Sequence, residues 1–162
     1  MFSRAEIAER LGGFVYGTIV VLSVIVAGAK AYPDDTTRIA VLIAVTTIVF
    51  WLSHAYAHAL TESVRSGEHM TLDRVRHIGR HEAALIQAGV PSIAVLLLGS
   101  LGLFESDTAI WLAVALGLGV LAVQGFVFAR VERLGPTGTI VVVAVNLGLG
   151  LLLVALKLLV AK

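Results

Sequence analysis

Residues 47–65 read TIVFWLSHAYAHALTESVR. The stretch closes an apolar run long enough to cross a membrane, yet it places Thr47, Trp51, His54, His58, Thr61, Glu62 and Arg65 at steps of three, four and seven. At about 3.6 residues per turn these positions share one helical face, a polar stripe about five turns long. Hydrocarbon cannot receive such a face, because each unpaired polar group there costs several kcal/mol. The stripe is therefore expected to meet protein or water, and it marks the first candidate site.

The rest of the chain agrees with a membrane setting. Of its 162 residues, 58% are hydrophobic and 14% charged, and the mean hydropathy is +0.95. Soluble domains carry about a quarter charged residues. Twelve basic against 11 acidic side chains give no electrostatic reason to expect nucleic acid as a partner. The lack of cysteine excludes disulfides, thiolate metal sites and Cys nucleophiles. Any metal would need His, carboxylate or amide ligands.

Working outward, the sequence predicts an all-α, polytopic transmembrane helix bundle forming a single domain over 1–162. An amphipathic start leads into an uncleaved first span at about 12–32, in which Gly13 and Gly17 form a small-residue step suited to close helix contact. Pro33, Asp34 and Asp35 break the helix. Span two follows at about 38–60, then a polar, amphipathic segment over 61–81 punctuated by Gly67. Span three is expected at about 82–104 with Pro91 inside it, freeing the carbonyl of Gln87. Spans four and five are placed at about 108–129 and 139–160. Each apolar run reaches the roughly 20 residues that cross about 30 Å of hydrocarbon.

Basic residues orient the bundle. With the N-terminus inside, the inner segments hold Arg4, Arg10, Arg65, Arg74, Arg76, Arg80, Arg130 and Arg133, while Lys30, Arg38, Lys162 and the borderline Lys157 fall outside. That asymmetry favours N-in, C-out, with the lipid bilayer of a bacterial inner membrane as the setting. Placed by depth, Tyr16, Thr47, Trp51, His54, His58, Glu62, Gln87, Gln124 and Asn146 are expected to line a polar crevice or ion path open to the cytoplasm. The outer half reads as aliphatic, with outer loops too short to build a ligand site.

Histidines carry the sharpest chemistry. His54 and His58 lie one turn apart, the spacing at which two imidazoles can share a metal such as Zn, with Glu62 one turn further as a third ligand. The same face also suits interhelical hydrogen bonding or a proton path, since histidine can take up a proton near neutral pH. A second face follows as His69, Asp73, His77 and His81, each four apart, beside Arg76 and Arg80, which suit anionic headgroups.

Two stretches carry a resemblance. Arg10-Leu11-Gly12-Gly13-Phe14-Val15-Tyr16-Gly17 and Phe50-Trp51-Leu52-Ser53-His54 resemble the first two helices of the bacterial relatives of the endolysosomal potassium channels. Those helices carry an Arg ahead of a Phe-Ser-Asp-Gly motif, and a Phe-Trp-x-x-His motif. The resemblance implies that Arg10, Phe14, Gly17, Trp51 and His54 support a pore-lining first helix in a tetramer gated by aliphatic side chains. Here Val15 and Tyr16 stand in place of Ser-Asp, and five expected spans stand against that family's six. The chain as a whole is similar to small integral membrane proteins of high-GC actinobacteria.

Three functions fit. One is cation or proton permeation by a homo-oligomer, with contacts made through Gly13, Gly17, Gly117, Gly125, Gly148 and Gly150. The others are a metal-binding membrane protein or hydrolase built on His54, His58 and Glu62, and a structural or accessory subunit. An enzyme is the less favoured class, because a lone metal still needs an acid/base partner.

Overall fold

Pro33 to Asp35 do break the first apolar run, and in the computed structural model the chain reverses there between two long helices. Residues 4–67, 71–81 and 83–160 are described. Helix α1 spans Arg4–Ala31 and α2 spans Thr36–Ser66. Asp35 caps α2, its carboxylate accepting from the Arg38 N–H at 2.8 Å, the satisfaction an orphan first-turn donor requires. At the other end Gly67 takes φ 68° and its N–H donates to the Ser63 carbonyl, the left-handed cap that glycine forms without a Cβ penalty. With 31 residues, α2 is about 46 Å long and outreaches a hydrocarbon layer of about 30 Å.

The segment expected over 61–81 divides at Gly67. Its first part continues α2, and Leu72–His81 forms α3. Beyond it the expected third span is broken, as α4 (Ala84–Gln87) and α5 (Val90–Ser100). The segments Ile78–Gln87 and Val90–Ser100 meet at 43°. The reason lies in Gly89 and Pro91. Pro91 sits in the first turn of α5, where its missing N–H costs little, and Ala88 and Gly89 donate to the Ala84 and Ile86 carbonyls in a tight turn. A helix ends and another starts where the sequence predicted a kink in one. Helices α6 (Ser106–Val131) and α7 (Pro136–Val160) match spans four and five closely.

Four of these helices are long and apolar enough to cross a membrane, and five segments are if Ile78–Gln87, which takes in the end of α3 together with α4, counts with α5 as one broken span. Their contacts define two ends. At the upper end, Gly99 lies so close to α6 that a Cβ there would come 2.5 Å from the Ala109 Cβ, with Thr36 next nearest. Ser106 reaches the Asp34 carbonyl at 3.5 Å. Lower down, Gly89 meets Ile43 and Thr47, and lower still Gly17 meets the Leu85 backbone and Ala88. Gly13 faces Ala84. Gly13 is about 27 Å along α1 from Ala31, so the contacts of α4 on α1 and of α5 on α2 and α6 together cover a depth of about that size.

Val21, Leu22 and Ile25 of α1 form the core with Ile39 and Ile43 of α2, Leu96 of α5, and Ile110, Val114 and Leu121 of α6. The upper half is thus packed with aliphatic side chains, as the sequence suggested. Helix α7 lies against α6 and α1. Here Gly125 admits Asn146 and Val143, and Gly150 admits Leu121 and Leu118. Of the six glycines expected to mark subunit contacts, Gly13, Gly17, Gly117, Gly125 and Gly150 each meet a helix of the same chain, while Gly148 has open space above it. Exposed Val, Leu, Ile and Phe side chains on α2, α5, α6 and α7 make a surface suited to lipid.

Candidate functional site

The polar stripe of α2 does not keep one environment along its length. Thr47 is buried and its hydroxyl donates back to the Ile43 carbonyl at 2.8 Å. Trp51 is half-buried, its Nε1 donating to the Gly79 carbonyl of α3 at 2.8 Å. His54, His58, Thr61, Glu62 and Arg65 are exposed. The change follows from a rotation of the buried seam. Above, it runs through Thr36, Ala40, Ile43 and Thr47, in line with the stripe; below, Ala55 and Ala59 replace them. At about 100° per residue these alanines point roughly 80° to 120° away from Thr47.

Depth explains why the exposed part is tolerated. Taking Thr36 as the upper edge, His54 lies about 27 Å along the helix and His58 about 33 Å. They straddle the far edge of a hydrocarbon layer about 30 Å thick. Glu62 and Arg65 come further along α2 than that thickness. Thr47 and Trp51 are hydrogen-bonded within the chain, and the stripe from His54 onward is exposed.

Level with His54, α1 contributes Tyr16, 45% exposed. Its ring lies 6.3 Å from the His54 ring at 25°, and His54 lies 5.2 Å from His58 at 26°. Phe50 closes the upper side of the row, 6.1 Å from Tyr16. The structure therefore brings Tyr16, His54 and His58 together in a stack on an open face of α1 and α2. Gly17, one residue on, keeps α4 on the opposite flank by close contact.

The remaining predicted residues are distributed elsewhere. Gln87, at the end of α4, is exposed. Asn146 occupies the seam between α6 and α7, where its amide donates to the Leu121 carbonyl at 3.4 Å, and Gln124 is buried on α6. Gln124 is only 7% exposed, and its Oε1 has no hydrogen-bond partner among the described residues. An orphaned buried amide oxygen costs about 1–3 kcal/mol, whereas an apolar residue of similar size leaves nothing to satisfy. Gln124→Leu is therefore expected to raise the thermal midpoint in detergent. A lower midpoint would show that the amide is bonded in the native assembly.

Among the described residues no three His, Asp or Glu side chains stand where they could hold a metal ion, so His54, His58 and Glu62 are not gathered as a ligand set. In the second histidine face, Asp73 is exposed on α3. His69 and the side chains of His77 and His81 lie outside the described residues.

Sequence reading overlooked Gly79. It accepts the Trp51 hydrogen bond, and a Cβ there would come 3.1 Å from Trp51 Cζ2. The signal was an isolated glycine inside an amphipathic helical pattern, which commonly marks a close approach. Ser92 of α5 was also missed; it is buried and donates to the Ala113 carbonyl at 3.3 Å. Compared with family models, curated proteins and solved structures, the chain finds no significant match, so its functional reading rests on its own residues.

Proposed function

We propose that this chain is a subunit of a small multi-pass membrane protein that passes a cation or proton, with Tyr16, His54 and His58 at its inner mouth. The observation that carries the reading is the exposed stack of one phenol and two imidazoles, which the reading sets at a membrane boundary. Higher on the same stripe, Thr47 and Trp51 are hydrogen-bonded within the chain. Imidazoles at that depth suit proton uptake or a hydrated cation.

The reading includes five crossings, with α4 and α5 as one broken span, and an N-terminus on the cytoplasmic side of a bacterial inner membrane. Its support is the contact ladder from Gly13 to Gly99 and the surplus of arginines at the lower end. Because aliphatic side chains pack the upper half, the path runs between copies of the chain. A homo-oligomer places the open α1–α2 face at its axis. This arrangement agrees with the resemblance of these two helices to a pore-forming pair.

Flux through protein reconstituted in liposomes tests the proposal, under potassium, sodium and proton gradients at about pH 6 and about pH 8, on either side of the ordinary histidine range. Flux should be present in the parent and fall sharply in the His54→Ala, His58→Ala double variant without loss of helical folding. A parent that passes no ion would leave an accessory role. Stoichiometric metal in the same sample would instead favour a binding function.

A further inference from the structure

We infer that a phospholipid of the upper leaflet binds in a groove between α1, α6 and α7, with its phosphate on Lys30. The groove is a cavity of about 310 Å³ lined by Val26, Ala29, Lys30, Ile110, Trp111, Val114 and Val154. Six of those seven are apolar. Lys30 lies in the last turn of α1 and Trp111 in the second turn of α6, so the opening lies at the end where α1 gives way to the Tyr32–Thr36 turn.

Three features commit the site to a phospholipid. First, the groove opens at headgroup depth and descends about one helical turn, from Lys30 to Val26, into the hydrocarbon zone. A chain entering there replaces exposed apolar surface on both partners with contact. Second, the rim carries an exposed ammonium that makes no ion pair among the described residues. A phosphodiester supplies the opposite charge at the depth a snorkelling lysine reaches. Third, Trp111 is 58% exposed beside Lys30, and an indole at the headgroup level presents an apolar face and one polar N–H.

A nonionic detergent or an apolar peptide would use the lining without the lysine. A soluble anion would use the lysine without the lining. An anionic amphiphile uses both, and the phospholipid of the leaflet supplies one at that depth. The sequence offered no outer ligand site because the loops are short; this one is built from helix flanks and needs no loop.

Native mass spectrometry of protein purified in mild detergent, with extraction and analysis of the retained lipid, tests the inference. The parent should carry one phospholipid per chain. Lys30→Glu, which reverses the rim charge, and Val154→Phe, which fills the groove from α7, should each lower its occupancy by about tenfold while helicity and elution volume stay unchanged. Ala29→Trp fills the groove from α1 and repeats the test should Val154→Phe disturb packing. A parent without bound phospholipid overturns the inference. So does a groove-filling variant that keeps its lipid, because an annular lipid would not sense the cavity. Loss in the filled variants but not in Lys30→Glu would overturn the assignment of the phosphate. Ion flux does not enter these readouts, so they stand apart from the permeation test.

Discussion

Gly17→Leu is expected to be the most damaging single substitution in the bundle. A Cβ at this position would lie 2.9 Å from the Leu85 carbonyl oxygen and 3.0 Å from the Ala88 Cβ. Neither atom can swing aside, since one is backbone and the other is fixed to it. The remaining leucine atoms would have to push α4 off α1. Overpacking a well-filled interior costs about 1–3 kcal/mol and occasionally more, and here it displaces a four-residue helix held on a break. We expect a loss near the top of that range, read as a large drop in the thermal or denaturant midpoint in detergent. Gly148→Leu is the matched control, because nothing lies within 4 Å of its position. Equal midpoints for the two variants would mean that α4 does not pack on α1 as described.

The second large effect concerns α3. Trp51 reaches down to Gly79, donating its indole N–H while its ring fills the space where a Cβ would stand. Gly79→Leu removes that space and the hydrogen bond with it. The bond contributes about 1 kcal/mol net and the clash adds about 1–3 kcal/mol. Because α3 joins the bundle mainly through α2, the expected outcome is undocking of α3 with the membrane helices intact. Hydrogen exchange should show the amides of Val75 to Arg80 losing most of their protection while those of α6 keep theirs. Trp51→Phe should give a smaller change in the same direction. Unchanged protection in both variants would contradict the latch.

These two glycines show what the sequence could and could not convey. Gly13 and Gly17 announced a close helix contact, and one exists. Their spacing could not name the partner, which is α4 of the same chain and not a second subunit. Helix identity, the start of α2 and the extents of α6 and α7 were legible from apolar length and the Pro33–Asp35 break, which are local signals, whereas α2 runs on to Ser66 past the expected end near 60. The break at Gly89 was less so. Pro91 alone reads as a kink, and only the packing of Gly89 on Ile43 and Thr47 fixes the chain as two helices.

The candidate site was legible in part for a similar reason. Helical periodicity put Thr47, Trp51, His54 and His58 on one face correctly. It could not foresee that the buried seam swings away below Trp51, because the swing depends on where α3 and α4 lie. Tyr16 was expected on the same side as His54, and its stacking on His54 is a tertiary fact. Gln124 and Asn146 share a depth with that stack by sequence position, yet Asn146 bonds across the α6–α7 seam and Gln124 is buried on α6.

Both the inner mouth and the lipid groove depend on α4 and α5 crossing the membrane together. A chain without cysteine allows single cysteines to be introduced and labelled from one side in intact cells with a membrane-impermeant maleimide. Five crossings put Leu103→Cys, between α5 and α6, on the same side as Asp34→Cys, and Leu134→Cys on the side of Ser66→Cys. We expect the first pair to react from outside and the second only after the membrane is opened. Leu103→Cys reacting with the Ser66→Cys group would make α4 and α5 a re-entrant hairpin and would contradict the five-crossing reading.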